Sequence, residues 1–272
     1  MRLISFFLVF FVFTADVAAT ETPWIDHGGM LRTRLVVASN EMASNDGVLL
    51  AWEAKLEKGW KTYWRSPGEA GLPVRVFAEG EEIAPLYPYP ERFELFGIET
   101  FGYSNQLLLP FRMKSSLEGP VTVKVDFMVC KDICVPFEQS YTLHSSEIAG
   151  AGSLHDIRFE AWLAKVPSVE PKNTNGMQIL AAKVAGRLGN QKLIIDVSAD
   201  VDLSNADMLA EVNDMFHFSS PKTRLLEDGK KARLVLGAMT GSKPVDLRGK
   251  TVRLTFSDGH GGVIDRMINL AK

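Results

Sequence analysis

The sequence predicts a mainly all-β protein, two β-sandwich domains joined by one short helix, on three observations. Its regular segments alternate apolar and polar residues with period 2, the mark of half-buried strands. Turn-forming clusters bound these segments: "NDG" at 45–47, "LGN" at 188–190, "EDGK" at 227–230 and "SDGHGG" at 257–262. One stretch alone, residues 153–167, carries a helical period instead.

At the N-terminus, "MRLISFFLVFFVFTADVAAT" has one basic residue, an apolar run from Leu3 to Phe13 broken only by Ser5, and small residues at Val17 and Ala19. The run is too short for a spanning helix, which needs about 20 residues, so residues 1–19 are expected to be a signal peptide cleaved near Ala19. The mature protein is then expected in the periplasm, with no stable membrane insertion after cleavage. Its composition is that of an ordinary globular chain, 46% hydrophobic and 23% charged. A formal net charge of −3 argues against nucleic acid or an anionic membrane as partner.

Residues 20–148 read as the first sandwich, with strands in "TRLVVAS", "VLLAWEAKL", "LLLPFRM" and "VTVKVDFMV". Residues 149–174 read as helix and linker: Phe159, Trp162, Leu163 and Val166 fall at i, i+3, i+4 and i+7, and Pro167 stops the pattern. Residues 175–272, with "KLIIDVSA", "ARLVLGA" and "TVRLTFSD", read as a second sandwich that holds no cysteine.

The chain's two cysteines, Cys130 and Cys134, lie in "DFMVCKDICVPFEQSYTL". If the strand before them buries Val121, Val123, Val125, Phe127 and Val129, Cys130 shares the opposite face with Lys124, Asp126 and Met128. In the strand after, Val135, Phe137, Tyr141 and Leu143 form the apolar set, which puts Cys134 with Pro136, Glu138, Ser140 and Thr142. Both sulfurs therefore leave the hairpin on its non-core side, unless a bulge reverses one of them. A three-residue connection sets the pair opposite each other, where facing Cα atoms are about 4.5–5.5 Å apart, within reach of a disulfide.

Such a bond is a weak staple, since closing a five-residue loop is worth roughly 2 kcal/mol. Three readings stay open at this point: a passive disulfide, a copper(I) clip made with Met128, and a pair that opens and closes. Lys131 would lower a neighbouring thiol's pKa and Asp132 would raise it, so the residues do not name the better nucleophile. No resident metal or other cofactor is expected.

Three stretches carry a resemblance. "GWKTYWRSPGEAGLPV" (59–74), "YPYPERFELFGIETFGYSNQLLLP" (87–110) and "FMVCKDICVPFEQSYTL" (127–143), in that order, resemble the N-terminal periplasmic domain of the DsbD family of thiol-disulfide interchange proteins. The ScsB-type branch, associated with suppression of copper sensitivity, is the nearest likeness. The resemblance implies an immunoglobulin-like fold and a redox pair on a hairpin. Its partners would be a membrane-embedded thiol-disulfide transporter and periplasmic thioredoxin-like proteins. It also implies that Cys134 forms the mixed disulfide and Cys130 resolves it.

A cap loop is implied at "RFELFG", with Phe93, Leu95 and Phe96 as capping side chains and Glu94 as an acidic neighbour. Trp60, Tyr63 and Trp64 are expected beneath the cysteines, on a partner-facing surface or in the core. The loop "SPGEAGLP" is expected to support the site. The cysteines here stand closer together than in the best-known members. The sequence ends at Lys272 without a membrane domain, so electrons are expected from another polypeptide. The alternatives are a non-catalytic interaction module with a structural disulfide, or a copper-tolerance protein.

Overall fold

In a computed structural model, the structure describes residues 20–45, 47–95, 97–114, 119–144, 154–169, 175–212, 216–240 and 243–272. The expected signal peptide, 1–19, lies outside the described residues. In chain order the elements are β1 (Ile25–Asp26), β2 (Leu31–Val37), β3 (Val48–Leu56), β4 (Lys61–Gly68), β5 (Arg75–Ala78), β6 (Glu81–Ile83), β7 (Glu91–Leu95), β8 (Ile98–Ser104), β9 (Gln106–Met113), β10 (Val121–Cys130) and β11 (Cys134–Leu143). They continue with α1 (Asp156–Leu163), β12 (Gln178–Ala185), β13 (Lys192–Ser198), β14 (Asp207–Glu211), β15 (Phe216–Phe218), β16 (Lys222–Leu226), β17 (Lys231–Thr240), β18 (Thr251–Ser257) and β19 (Val263–Asn269). The architecture is all-β and immunoglobulin-like.

In the first half a four-stranded sheet, β1-β2-β3-β9, faces a seven-stranded one, β6-β5-β10-β4-β8-β7 with β11 on the other edge of β10. Alternation along the strands builds the core between them. Leu35, Leu50, Trp52 and Leu109 from one sheet meet Trp64, Val123, Val125 and Phe127 from the other, all nearly or fully buried. The second half pairs a five-stranded sheet, β12-β13-β17-β15 with β16 on β17, with the three-stranded β14-β18-β19 around its own core. We propose residues 20–148 and 175–272 as the two domains, although Leu209 of β14 buries its side chain in the first half's core.

The helix is shorter than the predicted 153–167 and does more than join the halves. Phe159 is fully buried against Val36, Leu49, Ala51 and Leu108, with Trp162 and Leu163 at the margin, so α1 roofs the outer face of the first sheet. This explains why β3 is buried on both faces rather than alternating. An acid sits under that roof. Glu53 has no exposed surface, accepts a hydrogen bond from Arg34 Nε at 2.8 Å and pairs with Arg158 of α1. Arg34 also pairs with Glu21 at 2.6 Å.

A second buried polar chain links His27 Nε2 to Thr33 Oγ1 at 2.7 Å, Thr33 to the Tyr141 hydroxyl at 2.5 Å, and Trp52 Nε1 to the same hydroxyl at 3.0 Å. The His27 ring lies edge-on to Phe127 and Phe137. Burial holds its pKa below the ordinary histidine value, more than Asp26 raises it. The folded state therefore binds fewer protons than the unfolded chain just below pH 6.5, and the stability this histidine contributes above that pH is lost as pH falls through its folded pKa. Urea unfolding at pH 7.5 and 5 is expected to show a larger acid loss for the native sequence than for His27→Gln; equal losses would contradict this.

Candidate functional site

The β10–β11 hairpin pairs without interruption from Val121 opposite Leu143 to Cys130 opposite Cys134. Lys131, Asp132 and Ile133 form its exposed tip. The two cysteines are disulfide-bonded with their Cα atoms 4.1 Å apart, slightly closer than expected for a facing pair. Buried Val123, Val125 and Val129 lie on one face of β10, and Cys130 follows Met128 on the other, outside the main core.

That outward face is not open at both sulfurs. Cys130 is 0% exposed, enclosed in a small separate cluster with Tyr63, Met128 and Phe93, whereas Cys134 is exposed. Strand β4 supplies the floor. Thr62 lies opposite Val129 and its hydroxyl donates to the Met128 carbonyl at 3.0 Å, so alternation turns Tyr63 toward the cysteines and Trp64 into the core. Trp64, expected as a site-shaping residue, thus lies on the far side of the sheet, and Trp60 is partly buried against that same core.

The Tyr63 hydroxyl is 3.9 Å from Cys134 Sγ. Burial raises its pKa, so the phenol keeps its proton at neutral pH and has a donor to offer that sulfur. The loop after β4 packs flat on this ring: at Gly71, with φ +107°, a Cβ would stand 2.4 Å from Tyr63 Cε1. Glycine is therefore required both by backbone and by contact. Next to it, Leu72 is 53% exposed, and Ile133, adjacent to Cys134 at the hairpin tip, is 63% exposed.

Strand β7 supplies the lid. Phe93 packs on the cluster with its ring centroid 6.4 Å from that of Tyr63, and the Lys61 ammonium lies over it at 4.2 Å. Its carbonyl accepts from Thr100 Oγ1 of β8 at 3.1 Å. Glu94 is exposed and sits opposite Glu99 in the β7–β8 register. No described hydrogen bond or ion pair links it to the cysteine cluster, because alternation turns it away from the face that Phe93 uses. Leu95 ends β7; its side chain, and Phe96 altogether, lie outside the described residues. Gly71 lies in the "SPGEAGLP" loop expected to support the site. Sequence reasoning missed Lys61, which carried a signal, being two residues before Tyr63 on the same strand.

Among the described residues no group of three His, Cys, Asp or Glu side chains is placed to hold a metal ion. What this arrangement can do is thiol–disulfide exchange at one exposed sulfur. Comparison with known proteins agrees with that chemistry. Residues 32–146 match the family described as thiol:disulfide interchange protein DsbD, N-terminal. The matched stretch contains both cysteines, Tyr63 and Phe93. Residues 165–265 match a domain of unknown function, DUF8393. Among solved structures, the N-terminal periplasmic domain of ScsB from Proteus mirabilis is similar at 20% identity and a TM-score of 0.75, over 93% of this chain and 99% of that one. At that identity the shared property is the fold. No curated protein matches. Among the described residues no helix is long and apolar enough to cross a membrane.

Proposed function

We propose that this chain is a periplasmic thiol–disulfide interchange protein that passes electron pairs through Cys130 and Cys134, from a membrane-embedded transporter to thioredoxin-like acceptors. The observation that carries this reading is the unequal burial of the pair, Cys134 exposed and Cys130 enclosed. Exchange requires in-line access to one sulfur, and only Cys134 offers it. A donor thiolate attacks Cys134 Sγ, the bond to Cys130 breaks, and Cys130 leaves as a thiolate that takes up a proton. The donor's second thiolate then attacks its own sulfur in the mixed disulfide and releases Cys134. Two electrons and two protons have entered the pair, and the donor leaves as a disulfide.

In the onward half, Cys134 gives up its proton and attacks an acceptor disulfide, expelling one acceptor thiolate. Cys130 then gives up its proton and attacks Cys134, which re-forms the disulfide and releases the acceptor's second sulfur, so that the acceptor leaves as a dithiol. The buried Cys130 is suited to resolution, since it meets only a sulfur already bonded to its neighbour. Tyr63 donates toward the charge that appears on Cys134. Phe93 shields Cys130 between encounters, which limits stray oxidation of that thiol.

Equilibration in glutathione buffers tests the reading. A potential between about −300 and −120 mV, the span of exchange proteins, is expected. A value below about −300 mV marks an inert structural bond and would sink the proposal.

A further inference from the structure

Phe93, the lid over Cys130, sits on a strand with little to hold it. β7 has five residues, pairs only with β8 and is the terminal strand of its sheet. Short edge strands open at low cost, so what fixes β7 governs access to Cys130. The fixing comes from the far half of the chain. Arg92, one residue before Phe93, sends Nε and a terminal nitrogen to Asp207 of β14 at 2.7 and 2.9 Å, and that same terminal nitrogen to the Met208 carbonyl at 2.8 Å. Its other terminal nitrogen donates to Glu99 of β8 at 2.8 Å, and Ser220 donates its hydroxyl to the same carboxylate.

Alternation makes β7 a lever. Arg92 turns toward the second half and Phe93 toward the disulfide. The preceding segment is tied to the same acid, through the Tyr89 hydroxyl and Asp207 at 2.8 Å. The floor strand is tied in parallel: Arg65, two residues after Tyr63, forks onto Glu211 at 2.7 and 3.2 Å and reaches Thr255 at 2.9 Å. Both aromatic covers of Cys130 therefore lie within two residues of an arginine anchored on the second half. Paired arginine–carboxylate contacts of this kind fix orientation as well as contributing energy.

We infer that residues 175–272 brace the lid, with Arg92 as the positioning residue that holds Phe93 over Cys130 by gripping Asp207. This rests on the interchange reading for its purpose, but not for its test. Release of the grip would let β7 swing away and uncover Cys130. The second half then sets how readily that buried sulfur is reached.

The test is the rate at which iodoacetamide alkylates Cys130 in the mature chain, 20–272, carrying Cys134→Ser so that Cys130 is a free thiol, compared across four further variants of that parent. Arg92→Gln and Asp207→Asn should each react about tenfold faster than the parent, as a lid weakened by roughly 1.4 kcal/mol would allow. Arg92→Lys, which keeps the charge and loses the fork, should fall between. Arg233→Gln, which breaks an ion pair with Asp196 within the second half, should leave the rate unchanged. Parental rates in folded Arg92→Gln and Asp207→Asn proteins would overturn the brace, as would equal acceleration by Arg233→Gln. If Arg92→Gln fails to fold, Asp207→Asn decides alone. Iodoacetamide needs no physiological partner, so an inert potential in glutathione would defeat the interchange reading while the alkylation rates still judge the brace.

Discussion

Replacing Cys134 with serine is expected to reduce thiol–disulfide exchange to the uncatalysed background while leaving the protein folded. The loss is complete because the only sulfur open to attack has been removed, and Cys130 remains enclosed by Tyr63, Met128 and Phe93. The stability cost is moderate by contrast. The bond closes only the five residues Cys130–Cys134, which the chain-entropy model values at roughly 2 kcal/mol. A thermal midpoint about 4–8 °C below the parent's, together with background exchange in a glutathione-coupled assay, is the expected pair of results. Retained exchange would show that Cys130 is reachable and would contradict the assigned order of attack.

A larger structural cost with intact chemistry is expected at Glu53. Glu53→Ala removes a carboxylate with no exposed surface and takes a partner from both Arg34 and Arg158, beneath helix α1. Stranding buried charge in this way costs about 3–5 kcal/mol. Arg158 is 30% exposed and Arg34 keeps Glu21, so about 3 kcal/mol, the low end, applies. For a chain of this size that corresponds to a fall of roughly 6–12 °C in the unfolding midpoint. The disulfide potential should not move, because Glu53 lies on the sheet opposite the cysteines. A fall below about 2 °C would mean that the helix is held by Phe159 and its apolar neighbours alone.

Much of this site was legible because it is written in strand periodicity. Val121 to Val129 and Val135 to Leu143 alternate cleanly, so the face bearing the sulfurs and their register could be read directly. The burial of Cys130 could not. Its cover comes from Tyr63 and Phe93, on strands far away in sequence, and a period-2 pattern says which face a residue occupies without saying what lies over that face. "KTYW" was ambiguous for the same reason: Tyr63 and Trp64 are equally apolar neighbours, and alternation sends one to each side of the sheet.

The helix shows a similar division. The i, i+3, i+4 spacing identified Phe159, Trp162 and Leu163 as one face, but the sheet that receives them was hidden. The clue lay in "VLLAWEAKL", where an acid within a strand apolar on both faces signals a buried partner. The grip of Asp207 on Arg92 left no local trace, because each residue alone reads as an ordinary surface charge and their meeting depends on how the two halves pack.

The central claim is that Cys134 receives the partner and Cys130 resolves it. Its most direct test is peptide mass spectrometry of adducts formed when Cys130→Ser and Cys134→Ser variants are each incubated with a thioredoxin-like protein. The account predicts abundant mixed disulfides through Cys134 in the first variant and almost none in the second. Adducts of equal yield through Cys130, or no adduct through Cys134, would contradict it.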